Sequence, residues 1–293
     1  MGTLTRDAVG QVRAAARAHD ENFPVAFALV PRRLRDDLRA VYAFCRAVDD
    51  LGDEGPATPA ERLALLDAWQ RDTERAFDPG GPAPEDSRLA ALADTAARHR
   101  LDPEPFLRLI EANRIDQRRS RWDTADELLD YCSYSATPVG RIVLALLGHR
   151  DRWRAGLSDR TCIGLQLANF WQDVRRDLED RDRVYLPRRD MERFGVPEAD
   201  LRLPSATPAL RDLLAFEVDV ARAHLRAGAP LAHVCGPRAA LDLRMFTAGG
   251  LAVCDAIARQ GYDVLRRRPA PGRLGRARIA LGALARIARG EAA

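Results

Sequence analysis

Along almost its whole length this chain repeats its apolar residues at steps of three and four, and strand-like alternation is nearly missing. Such a chain buries its apolar side chains by forming helices and packing one helical stripe on another. The fold class read from this pattern is all-α. The spacing predicts helices over 3–19, 32–53, 59–77, 87–99, 103–119, 124–147, 158–179, 208–227, 236–262 and 273–290. Gly55-Pro56, Asp78 through Pro82, Asp102-Pro103 and Pro204 punctuate them. Pro138 should kink or interrupt the helix that contains it.

With 293 residues and 46% hydrophobic content the chain can bury a large core, and the absence of repeats or low-complexity blocks favours a single domain over 1–293. All its basic residues are arginine, and a net charge of +3 is too small to argue for a nucleic-acid partner. The five cysteines lack Cys-x-x-Cys spacing, so they read as small buried hydrophobes in a reducing compartment. The first 20 residues carry charges where a signal peptide needs an apolar run, and no uncharged 18-residue stretch occurs. A cytoplasmic protein, peripheral at most, is expected.

Chemistry enters with two aspartate pairs, Asp49/Asp53 and Asp173/Asp177. In the first, Arg46, Asp49, Asp50 and Asp53 recur at the steps that stack side chains on one helix face. In the second, Gln166, Asn169, Asp173 and Asp177 form one stripe. Carboxylates at that spacing repel unless a cation sits between them, and Mg²⁺ suits such sites because it is shared between one or two carboxylates and substrate phosphates. Two such stripes could hold a diphosphate through bridging metals while Arg46 neutralises remaining charge. Asp-x-x-x-Asp is cheap, since roughly one is expected by chance in a chain of this size. Asp126/Asp130 is that control, alternating with leucines as a solvated helix face does. What separates the outer pairs from it is the set of polar residues in register with them.

The stretch from Tyr131 to Arg141 mixes small and aromatic residues with few charges, and Val139, Val143 and Leu147 continue it. It is either a buried helix or the wall of a long apolar pocket. After the second aspartate pair, Arg183-Val184-Tyr185 supplies a basic and phenolic pair that could fold over a diphosphate.

Taken together these elements resemble the squalene/phytoene synthase family. The similarity runs from about Asn22 to Pro269. It is carried by Tyr42-Ala43-Phe44-Cys45-Arg46 leading into Asp49 through Glu54, Tyr131-Cys132 through Val139-Gly140, Gln166 through Asp177, Arg183-Val184-Tyr185, and Gly261-Tyr262-Asp263-Val264 before Arg268-Pro269. The resemblance implies an isoprenoid synthase fold, a helical bundle around a central cavity, with Mg²⁺ on the two aspartate helices and prenyl diphosphate substrates. It implies Asp49, Asp50, Asp53, Asn169, Asp173 and Asp177 as metal ligands, and Arg46, Arg183, Tyr42 and Tyr185 as diphosphate contacts. Tyr131 would face the reacting carbons, where a ring can steady a cation. Val139 and Gln166 would border the substrate cavity, and Phe23 and Phe27 would either line it or pack in the core.

Asn22-Phe23-Pro24-Val25 and Asn169 through Val174 resemble the branch that converts presqualene diphosphate to hydroxysqualene in bacterial hopanoid and squalene pathways. Gln172 stands where enzymes that condense two prenyl diphosphates tend to carry arginine, which removes one cation beside the metal site. Gly52 replaces the alanine common at its position, and one extra residue precedes Arg183. The alternatives are a head-to-head prenyl transferase making presqualene diphosphate, squalene or phytoene, and a noncatalytic helical assembly factor, which the surviving aspartates disfavour. A hand-over to other squalene-pathway enzymes would follow. The stretch 272–293, acid-free from 272 to 289 and rich in arginine and aliphatics, is a candidate peripheral amphipathic tail.

Overall fold

The computed structural model describes residues 32–272. The expectations for 3–19 and 273–290, for Phe23 and Phe27, and for the tail beyond Gly272 lie outside the described residues. The described chain is helical, with no strand; the nearest to one is a parallel bridge between Arg121 and Val184. None of its helices is long and apolar enough to cross a membrane. It divides into two compact units, one comprising the chain up to Arg118 together with Arg141–Arg150, the other Arg119–Gly140 and the chain from Asp151.

The first unit contains α1 (Arg32–Asp53), α2 (Pro59–Ala76), α3 (Ser87–His99) and α4 (Glu104–Arg118). Thr58 and Glu61 form a capping box that starts α2, with Pro59 in the first turn where its missing N–H costs nothing. Phe44 of α1 anchors the core, edge-on to Phe106 at 5.2 Å and 6.1 Å from Trp69. Asp37, buried on α1, is held by Thr95, Arg98 and His99 of α3, so its charge is not left bare.

The second unit is organised around a 30-residue helix, α7 (Arg152–Arg181), capped at its start by Asp151. It packs against α9 (Pro208–Gly228) and α11 (Pro237–Arg259). Gly164 and Gly228 permit the close approach of α7 and α9: a Cβ at Gly164 would lie 2.9 Å from the Leu225 nitrogen, and one at Gly228 would lie 2.7 Å from that of Thr161. Pro138 does interrupt its helix. The predicted 124–147 element is two, α5 (Ala125–Ser135) and α6 (Thr137–Leu146), broken at Ala136. The α7 helix starts earlier than predicted because Asp151 supplies the cap. Two short helices went unpredicted, α8 (Arg188–Phe194) and α10 (Leu231–Val234). The five cysteines form no disulfide among the described residues.

Glu217 is buried on α9 beside Trp171, whose indole donates to the Glu217 carbonyl at 3.1 Å. Its carboxyl Oε1 is buried without a partner, and desolvation, with Asp190 adding to it, pushes its pKa to about 8. An acid raised from 4.5 to about 8 stays protonated in the fold while it ionises in the unfolded chain, so stability falls as pH rises through that window. Glu217→Gln should therefore stabilise the protein by about 1–3 kcal/mol at pH 8 and by little at pH 5. Urea unfolding at both pH values checks this, and an equal effect at both would contradict it.

Candidate functional site

In the first unit, Arg46, Asp49, Asp50 and Asp53 lie on the last turns of α1. Arg46 donates to Asp50 at 2.8 Å, so the guanidinium predicted to neutralise charge is already paired within the stripe. Asp49 has solvent-accessible surface yet is crowded by protein atoms, and desolvation is the first cause that raises its carboxyl to about 6. Arg46 and a hydrogen bond donated by the Asn113 side-chain amide oppose the rise, while Asp53 and Asp50 add to it. Tyr42, one turn before Arg46, is half-buried.

The end of α1 is secured by residues from two neighbouring helices. Arg62 of α2, itself buried, donates to four carbonyls at this end: Leu51 at 3.3 Å, Asp53 at 3.4 Å, Glu54 at 3.0 Å and Gly55 at 2.8 Å. These are acceptors that a helix C-terminus leaves without partners. Gln117 of α4 donates to the Gly52 carbonyl at 3.1 Å, and Asn113 of α4 reaches Asp49. Arg62, Asn113 and Gln117 escaped sequence reasoning because their partners are backbone atoms or lie far along the chain. The one available signal was a polar residue, Asn113, on the buried side of an amphipathic helix.

In the second unit, Gln166, Asn169, Asp173 and Asp177 are all half-buried along α7, and the residues between them (Leu167, Phe170, Trp171, Val174) turn into the core. Arg268 grips Asp173 with two bonds, Nε to Oδ1 at 2.5 Å and Nη2 to Oδ2 at 2.8 Å. Desolvation, and then the neighbouring Asp173 charge, raise Asp177 to about 7, against the pull of Arg181, Arg183 and Arg176. Gln172, by contrast, is buried and donates to the Pro269 carbonyl, which anchors the segment bearing Arg268. The expectation that Gln172 costs the site a cation is thereby revised: position 172 faces the core, and the cation on Asp173 comes from Arg268.

Asp177, Arg183 and Tyr185 line one tight crevice with Phe170 and Val174. The segment is pinned by the Val184 amide, which donates to the Ser120 carbonyl at 2.9 Å. Tyr185 stacks on Phe170 at 3.7 Å and 12°, and on Trp122 at 4.7 Å. Tyr131 joins the same cluster, 5.1 Å from Trp122 and 6.0 Å from Tyr185, and is 5% exposed. Val139 is half-buried near the start of α6. The Asp126 and Asp130 side chains are exposed on α5, as the control pair should be.

Comparison with known proteins identifies the family. The squalene/phytoene synthase family profile matches residues 16–275, and the chain belongs to that family. It is 36% identical over 202 residues to a hydroxysqualene synthase of Rhodopseudomonas palustris, an alignment covering 68% of this chain and 66% of that protein, just under two thirds of the relative's length. It is 30% identical over 278 residues to a 15-cis-phytoene synthase of Synechococcus elongatus, covering 89% and 87%. The crystal structure of the squalene synthase HpnC from Alicyclobacillus acidocaldarius superposes with a TM-score of 0.81 at 47% identity, covering 88% of this chain and 95% of that one. A dehydrosqualene synthase at 23% identity superposes with a TM-score of 0.84 and shows the shared fold. The fold is the all-α isoprenoid synthase fold.

Arg62 satisfies four carbonyls at the end of α1, and its loss strands them. Arg62→Ala should cost about 2–4 kcal/mol in urea unfolding. Arg62→Lys should recover only part, because a compact ammonium cannot span four acceptors as the planar fork does. Full recovery by lysine would show that the geometry of the fork is immaterial.

Proposed function

We propose that this protein is a hydroxysqualene synthase, converting presqualene diphosphate and water to hydroxysqualene and diphosphate. The observation that carries the reading is that two helices each present oxygen donors in one stripe with a guanidinium beside them, Arg46 from α1 itself and Arg268 from the segment that follows α11. The 36% identity to a hydroxysqualene synthase directs it to this branch of the family.

The donor set suits Mg²⁺. It contains carboxylates and amides without thiolate or imidazole, and oxygen donors of this kind suit a hard cation that shares its shell with water and substrate phosphate. Asp49, Asp50 and Asp53 on α1 would be ligands for Mg²⁺, and so would Asn169, Asp173 and Asp177 on α7. When bound it would supply positive charge to the leaving diphosphate.

In the reaction the carbon–oxygen bond breaks and diphosphate departs with the electron pair. The cyclopropylcarbinyl cation rearranges, and water adds to it and loses a proton. Arg46, Arg183, Tyr42 and Tyr185 would contact the diphosphate, meeting its developing charge with donors already in place. The Tyr131 ring, packed on Trp122, would contribute π-electron density to the cation. Gln166 and Val139 would border the substrate.

Incubation with presqualene diphosphate, in parallel with farnesyl diphosphate, tests the assignment by mass spectrometry. Hydroxysqualene from the first and no product from the second is expected. Presqualene diphosphate, squalene or phytoene made from simple prenyl diphosphates would favour the second reading, a head-to-head condensing enzyme, which the phytoene synthase match over 89% of the chain keeps in view.

Asp49→Asn and Asp173→Asn should each reduce turnover at least 100-fold while leaving helical circular dichroism unchanged. Variants that unfold yet retain full activity per folded molecule would make these carboxylates structural. Because burial, with Asp173 adding to it, pushes the Asp177 carboxyl up to about 7, it must lose a proton to act as a ligand near neutrality. The Mg²⁺ concentration for half-maximal activity should therefore rise as pH falls from 8 to 6. A flat dependence would exclude Asp177 from the metal shell.

A further inference from the structure

Gly52 lies one residue before the end of α1, where alanine would be the better helix former. Its missing side chain has a specific neighbour. A Cβ at position 52 would fall 2.0 Å from Asn113 Oδ1 and 2.9 Å from Asn113 Cγ, so the carboxamide of Asn113 occupies the space that a side chain would need. Asn113 is 8% exposed.

The direction of that amide is fixed by its partners. Its nitrogen donates to the Leu109 carbonyl at 3.3 Å and to Asp49 Oδ1 at 3.5 Å. Both partners only accept, so nitrogen must face them and oxygen must turn the other way, toward Gly52. At 3.5 Å the bond to Asp49 is at the long limit for an amide and a carboxylate, and its value is directional. Gln117 holds the same junction from the backbone side, donating to the carbonyls of Gly52 and Asn113 at 3.1 and 3.2 Å.

We infer that Asn113, seated in the space left by Gly52, is a positioning residue that aims the Asp49 carboxylate as a cation ligand. The inference rests on the reading above that Asp49 binds a divalent cation. Its logic is that of an outer-shell donor: the amide occupies one carboxylate oxygen, restricts side-chain rotation, and leaves the other oxygen for the ion. A side chain at position 52 would displace the amide oxygen, and turning the amide over would aim that oxygen at the carboxylate. Gly52 and Asn113 therefore act as one device, and the loss of either removes the same contact.

The test compares the full chain with Asn113→Ala, Gly52→Ala, the double variant and Asp49→Asn. Mn²⁺ binding in the presence of inorganic diphosphate is read by electron paramagnetic resonance, alongside thermal unfolding and the separate kcat and KM for Mg²⁺. Asn113→Ala should weaken Mn²⁺ binding about 10-fold, with KM for Mg²⁺ rising more than kcat falls. Gly52→Ala should weaken binding similarly and lower the unfolding temperature. The double variant should bind Mn²⁺ no more weakly than Asn113→Ala alone and should recover the unfolding temperature lost in Gly52→Ala, since alanine at 113 clears the clash. Wild-type Mn²⁺ affinity in Asn113→Ala, or additive losses in the double variant, would overturn the positioning role while leaving the cation reading intact. Failure of the wild-type chain to bind Mn²⁺, or undiminished binding by Asp49→Asn, would overturn both.

Discussion

Carboxylates stacked one turn apart on a helix repel one another, and a fold that carries two such stripes must hold each against that repulsion. The two units do so differently. At the end of α1 the counter-charge is local, with Arg46 on Asp50, and rigidity comes from neighbours: Arg62 caps the carbonyls, while Gln117 and Asn113 fix Gly52 and Asp49. On α7 the counter-charge arrives from the far end of the described chain, where Arg268 closes on Asp173 and Gln172 secures the adjacent carbonyl of Pro269. The stripes survive because like charges in partly desolvated surroundings have been given cations and amide donors at defined distances.

Periodicity made most of the fold legible. The limits of α3 agree with the spacing, because the Asp86 cap reinforces the apolar pattern there, and the C-terminal limit of α1 agrees as well. The α8 and α10 helices were missed because seven and four residues are too few to establish a period. The polar stripes were legible for the same reason as the apolar ones. What they touch was not. Arg268 lies 95 residues from Asp173 in the chain, and Asn113 lies 64 from Asp49. Only the packing of helices brings such partners together, which also explains why the cation assigned away from position 172 reappears from Arg268.

The buried acids separate structural from chemical roles. Glu217 is desolvated in a core with Trp171 on one side, and the charge of Asp190 adds to the effect, so its raised pKa is a cost to stability. Asp177 is raised almost as far, yet it stands in line with Asp173 and Asn169 and has Arg181, Arg183 and Arg176 pulling it down, where a bound metal cation would lower it further. Exposed Asp126 and Asp130 show the third outcome, an identical spacing with no environment to give it a function. Spacing proposes a site, and desolvation beside arranged donors is what distinguishes one.

In the proposed reaction a carbocation formed by loss of diphosphate is captured by water. Reaction of presqualene diphosphate in water enriched in oxygen-18 measures that step directly. Hydroxysqualene carrying one heavy oxygen, with the released diphosphate unlabelled, is expected. A hydroxylated product without the label, or a hydrocarbon as the only product, would contradict it.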